Sequence, residues 1–268
     1  MTEIRMHEFM GKHKVAVSTA LCICLLFALS YAILENTAQK TSAPAYVLLI
    51  TDLHVHTYLS DGVYSPADVA RLYRNHGYDV IAISDHVKTA GYEEAQAVGQ
   101  ELGLIVIRGE ETGIRLHDGT GVHILALFIK TPIPAFVLPN ETNGPEYCFS
   151  QIHAQNGIGI VAHPWKSWTY WKDFQYESYI DGWEYREEET YAFKNWLIHS
   201  DSLYIITHDF HRGSGDDLPS YYTILLAHNK TEAGVREALE SRRTILYYSG
   251  KYYGTPGNLE LFTRNNAQ

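Results

Sequence analysis

The stretch VLLITDLHVHTYLSDGVYSPADVARLYRNHGYDVIAISDH, residues 47–86, decides the fold. An apolar run ends in His54 and His56, and a polar loop carries Asp61. Ser65 followed by Pro66 then starts a helix that Gly77 stops, and a second apolar run ends in His86. This is a strand, a helix and a strand, with a potential metal ligand at the close of each strand. Working outward, the same pattern returns in LIVIRGEE (104–111), IGIVAHP (158–164) and LYIITHDFH (203–211). Gly103 stops the intervening helix EEAQAVGQEL as Gly77 stops the first. Five strands that each end in a ligand describe an α/β barrel whose reactive groups lie at the carboxyl ends of its strands.

His54 and His56 alternate along a strand and so project from one face, with Asp52 and Asp61 close in sequence. His163 and the pair Asp209 and His211 again follow buried-type runs. His123 opens its run, VHILALFI, after the turn-like HDGTG, which predicts the return strand of a hairpin. Other histidines, among them His76, His117, His153 and His228, read as ordinary. A mixed imidazole and carboxylate set larger than one ion can use predicts two or three divalent ions: zinc, manganese or iron. Glu111 is placed to be shared between two of them. Metals about 3.5–4 Å apart activate a water and clamp both oxygens of a displacement, which is hydrolytic machinery most often turned on phosphate esters.

These residues carry a family resemblance. Residues 52–86, followed in order by GEE, GVHILAL (121–127), VAHPW (161–165), DGWEY (181–185) and HDFH (208–211), resemble the motifs of the PHP (polymerase and histidinol phosphatase) superfamily of metal-dependent phosphoesterases. The resemblance implies a distorted (β/α)7 TIM-like barrel with a trinuclear site. It assigns His54, His56, Glu111 and Asp209 to one metal. Glu111 with His123 and His163 would hold the second, and Asp61, His86 and His211 the third. The family's glycine, one residue, then glutamate selects Glu111 over Glu110. Where the family commonly has serine before the aspartate, this chain has His208. It is a proton donor to the leaving group, a support behind the ligands, or a plain strand-end residue. Asp209, His211 and His208 are the candidates for proton transfer.

The tail PSYYTILLAHNKTEAGVREALESRRTILYYSG (219–250) reads as a strand, a helix capped by Thr231 and a strand. It resembles the closing segment of extracytoplasmic PHP phosphodiesterases and of the carbamate-hydrolysing branch. Arg242 and Arg243 either sit at a helix end or neutralise a substrate phosphate. Lys88, Lys166 and Arg212, one to three residues beyond ligand motifs, are the candidate phosphate-binding cations. The aromatic run WKSWTYWKDFQY (165–176) is either a packed lid or a stacking wall for a base or aryl group.

The 268 residues suffice for one barrel, residues 46–268, behind an N-terminal appendage. Residues 15–34, VAVSTALCICLLFALSYAIL, are free of charge and long enough as a helix to span a bilayer. Arg5, Lys12 and Lys14 precede them, so residues 1–14 are expected in the cytoplasm, 15–34 as a signal anchor and 35–45 as a linker. The catalytic domain is then extracytoplasmic, or secreted if cleavage follows a small residue such as Ala32. Only Cys148 lies in the barrel, which leaves no disulfide within it. Asn140 and Asn229 begin N-x-T sequons. A formal charge of −10 argues against a broad nucleic-acid-binding surface and for small phosphoesters or short nucleotides. The expected function is therefore metal-dependent phosphoester hydrolysis at a di- or trinuclear site. Its alternatives are hydrolysis of carboxylic esters, amides or carbamates, and a non-catalytic metal-binding or sensing domain.

Overall fold

A computed structural model describes residues 46–116, 118–134, 144–171, 177–185, 202–213 and 218–266. The expected anchor (15–34) and linker, Cys22, Cys24, His117, Asn140 and residues 172–176 of the aromatic run lie outside the described residues. Among the described residues no helix is long and apolar enough to cross a membrane.

The unit beginning at Tyr46 is built on one ten-stranded sheet. Its strands are β1 (Val47–Val55), β2 (Val80–Ile83), β3 (Ile105–Arg115), β4 (Gly121–Leu127), β5 (Ile158–Ala162), β6 (Gly182–Glu184), β7 (Leu203–Ile205), β8 (Tyr221–Ala227), β9 (Thr244–Tyr248) and β10 (Lys251–Tyr253). The order across the sheet is β10-β9-β8-β1-β2-β3-β4-β5-β6-β7. The sheet curls until the chain after β7 meets β1. Val55 and Phe210 form a parallel bridge. Around it His56 N–H donates to the Phe210 carbonyl (2.8 Å), and Phe210 N–H to that of His54 (3.1 Å).

Two features differ from a plain alternation of parallel strands and helices. Strand β4 runs antiparallel to both β3 and β5, as the hairpin reading of His123 expected. Strands β8, β9 and β10 form an antiparallel flange on the outer side of β1. Short turns make the reversals from β3 to β4 and from β9 to β10, whereas the links from β4 to β5 and from β8 to β9 each carry a helix.

The helices follow their sequence signals. Helix α1 (Pro66–Asn75) is capped by the Ser65 hydroxyl, which accepts from Asp68 N–H. Helix α2 (Tyr92–Leu102) stops at Gly103, where φ is +68°. Helix α3 (Gly144–Ala154) and the short α4 (Trp168–Trp171) precede and follow β5. Helix α5 (Glu232–Glu240) is capped by Thr231, which accepts from Gly234 N–H, and α6 (Pro256–Asn266) closes the described chain.

Apolar side chains fill both faces of the sheet. Leu49, Leu53, Val80, Ile107, Leu125 and Ile160 share the inside of the curl. Val55, Ile81 and Ile83 pack outward on Val69, Tyr73 and Val98 of α1 and α2. Leu53 and Val55 are both odd-numbered yet lie on opposite faces, because the β1–β2 register slips between Asp52 and Val55. This bulge changes the parity of the strand, so that His54 and His56 face inward past an apolar floor.

Candidate metal centre

Each strand end contributes its side chain for a local reason. After β1 the chain turns back sharply, and the buried Asp85 holds the turn. Its carboxylate accepts from Thr57 N–H, the Thr57 hydroxyl and the Ser60 hydroxyl, each at 2.7 Å. A Cβ at Gly62 would lie 2.6 Å from the His56 carbonyl oxygen, so only glycine lets the loop fold this tightly over the site. Asp61 is thereby delivered beside His56. His163 and Asp209 sit at φ +29° and +51°, unusual backbone for residues with side chains. Such positions cost on the order of 1–3 kcal/mol each, and surrounding structure must hold them.

The nine residues singled out by sequence converge. Glu111 is their centre, 1% exposed. One of its oxygens lies 3.2 Å from His54 Nε2, His56 Nε2 and His86 Nδ1; the other lies 2.7 Å from His123 Nδ1 and 2.8 Å from His163 Nε2. Asp209 Oδ1 lies 3.2 Å from His54 Nε2 and 3.6 Å from His56 Nε2. Asp61 reaches His56 Nδ1 (3.4 Å), His86 Nε2 (3.4 Å) and His211 Nε2 (3.2 Å).

Three groups have ligand atoms within 4.8 Å of one another: His54, His56, Glu111 and Asp209; His56, Asp61, His86 and His211; His86, Glu111 and His123. The first matches the set implied by resemblance. The second adds His56 to the expected trio, and the third has His86 where His163 was expected, although His163 also contacts Glu111. Strand β3 runs four residues beyond Glu111 instead of ending there, because it continues into the hairpin with β4.

Opposed charges set the protonation of the cluster. Burial pushes Glu111 upward, but the charge of His54 and hydrogen bonds from His123, His163 and His54 outweigh it and hold the carboxyl well below its ordinary range. Asp209 is likewise lowered: His54, His56 and Lys166 overcome burial and the neighbouring Glu111. For His54 burial works downward, and Glu184, Glu111 and Asp209 raise it well above the usual imidazole value. His86 is lowered, chiefly by burial. Clustered imidazoles and carboxylates of this kind are a donor set that suits zinc, manganese or iron. His163 faces the cluster through Nε2, and its buried Nδ1 has no partner among the described residues.

The remaining candidates divide. Lys166 Nζ lies 3.1 Å from Asp209 Oδ2 at the rim. Lys88 is exposed and donates to the Leu59 carbonyl, bracing the Asp61 loop instead of reaching the cluster. Arg212 is exposed beside His211. His208 turns away from the nine. Its Nδ1 lies 2.9 Å from Asp52 Oδ2 and its ring stacks on Tyr221 at 4.2 Å, so strand alternation removes it from the proton-transfer candidates. Arg243 donates to the Leu226 carbonyl, opposite the start of β1 and therefore at the far end of the sheet from the site. Arg242 precedes it in the same turn, and neither is placed to meet a substrate. Trp171 is 2% exposed and packs on Trp183 at 5.7 Å, which makes the described part of the aromatic run a packed segment.

Sequence reasoning missed Glu184 as a site residue. It ends β6 and accepts from His54 Nδ1 (2.8 Å), the Thr207 hydroxyl (2.6 Å) and His163 N–H (2.6 Å). Its signal was available: DGWEY places an acid at the end of a short apolar strand, like the other ligands.

Among curated proteins, the chain is 40% identical over 81 residues to a 5′-3′ exoribonuclease of Haemophilus influenzae, covering 30% of this chain and 29% of that protein. It is 35% identical over 88 residues to a phosphoribosyl 1,2-cyclic phosphate 1,2-diphosphodiesterase of Eggerthella lenta, covering 32% and 34%. The matched segments thus span about a third of each relative. A solved two-domain protein from Bacteroides vulgatus, described as containing a PHP-like metal-dependent phosphoesterase, shares the fold. Its TM-score is 0.65 at 21% identity, over 82% of this chain and 71% of that one. The PHP domain family model matches residues 52–253, from the first aspartate of the HVH strand to the last strand of the flange, and the chain belongs to the PHP domain family.

Proposed function

We propose that this protein is a metal-dependent phosphoesterase acting on small phosphoesters or short nucleotides. The observation that carries the reading is the convergence of nine imidazole and carboxylate side chains at the mouth of a PHP fold, five of the imidazoles reaching the central Glu111. The names of the Haemophilus and Eggerthella relatives, both enzymes of phosphodiester cleavage, support it.

His54, His56, Glu111 and Asp209 would hold one ion, and Asp61, His86 and His211 with His56 a second. Glu111 with His123, His163 and His86 would hold a third. When bound, divalent ions supply Lewis acidity toward a phosphoryl oxygen and a water nucleophile at neutral pH. The chain does the rest. Glu111 and Asp209, held ionised, keep the pocket negative enough to retain cations. Lys166, half-exposed and tethered to Asp209, offers an ammonium to a substrate oxygen at the rim, where an incoming phosphate needs a positive donor. Asp209 and His211 are our candidates to accept and pass a proton; His211 Nδ1 donates to the Asp209 backbone carbonyl at 2.7 Å, which orients its ring.

We also place the catalytic domain outside the cytoplasm, anchored through residues 15–34, on the strength of that uncharged stretch and the basic residues before it. Protease protection of intact cells tests this: a domain resistant to external protease while a cytoplasmic marker is also protected would refute it.

The activity is tested on the full-length chain loaded with Mn²⁺ or Zn²⁺. The substrates are aryl phosphate mono- and diesters, nucleotides, aryl acetates and carbamates, with Asp209→Ala as control. Phosphoester turnover that disappears in the control is expected. Turnover of the carbon esters alone would overturn the reading in favour of a carboxylic ester, amide or carbamate hydrolase. Silence on every substrate with metal bound would favour a sensing domain.

A further inference from the structure

Glu184 stands behind the cluster, 1% exposed, and collects three donors from three other segments of the chain. Oε1 takes His54 Nδ1 (2.8 Å) and the Thr207 hydroxyl (2.6 Å), while Oε2 takes the backbone N–H of His163 (2.6 Å). Among the described residues, no other histidine of the cluster has a ring nitrogen on a carboxylate outside the nine. His56 Nδ1 lies 3.3 Å from Ser60 Oγ and 3.4 Å from Asp61, which is itself one of the nine. His86 divides its nitrogens between Asp61 and Glu111.

An ionised carboxylate only accepts, so a neutral His54 bound to Glu184 carries its proton on Nδ1. Its Nε2, which donates to Glu111 while the ring is charged, is then the atom left free to bind an ion, among Glu111 Oε2 (3.2 Å), Asp209 Oδ1 (3.2 Å) and His56 Nε2 (3.0 Å). The second oxygen acts through the backbone. His163 sits at φ +29°, and the hydrogen bond from its N–H to Glu184 holds the conformation that sends its Nε2 to Glu111 at 2.8 Å. One buried carboxylate thus fixes the imidazoles on both sides of Glu111.

We propose that Glu184 is a positioning residue for the metal centre: it sets the tautomer of His54 and the backbone of His163, and so preorganises the group His54, His56, Glu111 and Asp209 for a divalent ion. The inference rests on the metal reading above and goes beyond it by assigning a role to a residue outside the nine. A carboxylate that merely stitched strand ends together would stabilise the fold without favouring one ion over another.

The test uses the full-length chain. In the zinc-loaded wild type, long-range ¹H–¹⁵N spectra of the histidine rings should show His54 protonated at Nδ1 and coordinated through Nε2. Coordination through Nδ1 would overturn the proposal without any variant. Glu184→Gln keeps the side chain's size but offers a single acceptor oxygen. Titration of the metal-free variant against a chromophoric chelator should show the tightest Zn²⁺ site weakened roughly 10- to 100-fold, the usual cost of losing an outer partner of a ligand histidine. The ion at His163 should weaken as well, while the ion held by Asp61, His86 and His211, none of which touches Glu184, should keep wild-type affinity. Wild-type affinity at every site, or an equal loss at all sites with a lowered thermal transition of the metal-free protein, would overturn it. A wild type that takes up no divalent ion would overturn the metal reading itself, and that result appears before any variant is made.

Discussion

The two faces of β3 place neighbouring carboxylates in different surroundings. Glu111 points inward, where five imidazoles approach it within 3.2 Å and hold it ionised. Glu110 points outward, toward the face where Ile124, Ile133, Cys148 and Phe149 pack. It is fully buried, accepts one backbone hydrogen bond from Ile133 N–H (2.6 Å), and has one oxygen with no partner. Burial, only partly offset by that bond, pushes its carboxyl up to about 7. The difference teaches that burial alone does not decide the charge of a group; the dipoles and charges that replace its water do. On one face the fold concentrates compensation, and on the other it tolerates a nearly neutral acid.

The largest effect expected from this contrast is on the inner face. Removing one partner from a buried ionic cluster costs about 3–5 kcal/mol. If that loss falls on the transition state, Glu111→Gln lowers kcat/KM by roughly a hundred- to several-thousand-fold, measured with an aryl phosphate and accompanied by loss of bound metal. Retained metal and activity would show the inner face to be ordinary packing.

On the outer face the effect should be on stability instead. A carboxyl raised in the folded state contributes stability that is complete below its unfolded value and is lost as pH rises through the folded one. Wild type should therefore lose stability from about pH 4.5 to about pH 7 through Glu110. Glu110→Gln should flatten that slope and gain up to about 3 kcal/mol above pH 7, read from urea unfolding at several pH values. Activity lost together with stability would mean that the two faces are coupled.

Lys166 sharpens the comparison at the rim. Its ion pair with Asp209 is exposed, and such pairs contribute about 0–1 kcal/mol to stability. A charge-assisted hydrogen bond to substrate contributes about 1.5–3 kcal/mol. Lys166→Met should thus raise KM for a phosphate ester about tenfold or more with little change in the unfolding midpoint; an unchanged KM would remove Lys166 from substrate binding. The smallest effect is expected at Cys148, whose thiol burial pushes up to about 12. At pH 8 the native protein should leave Cys148 unalkylated by iodoacetamide in a peptide map, and rapid labelling would show that the outer face opens.

Much of the site was legible because its ligands punctuate the sequence. His54, His86, Glu111, His163 and Asp209 each close or follow an apolar run, and a strand end is where a side chain can be buried at its base and functional at its tip. His123 was legible as the return of a hairpin, since HDGTG marks the turn. His208 was left among three readings, and the pleat of the segment after β7 settles it by turning the ring to Asp52. Glu184 was overlooked because the strand it ends is only three residues long, too short to stand out beside the longer apolar runs. Only the approach of β6 to β1 and β5 brings it to His54 and His163. The flange β8–β10 was read as strand, helix and strand, but its antiparallel pairing outside β1 is a long-range choice with no local signature.

The sequence by itself determined the kinds of donor, their order along the chain, the helix boundaries at Ser65, Gly103 and Thr231, and the family motifs. Local chemistry suffices for these: a cap, a glycine turn or a strand end is specified within a few residues. The tertiary structure alone decided which donors share a group and how the slip between Asp52 and Val55 aims two histidines past an apolar floor. These are properties of strand register and sheet curl. They are set by packing between residues far apart in the chain, where a shift of one position sends a side chain to the other face.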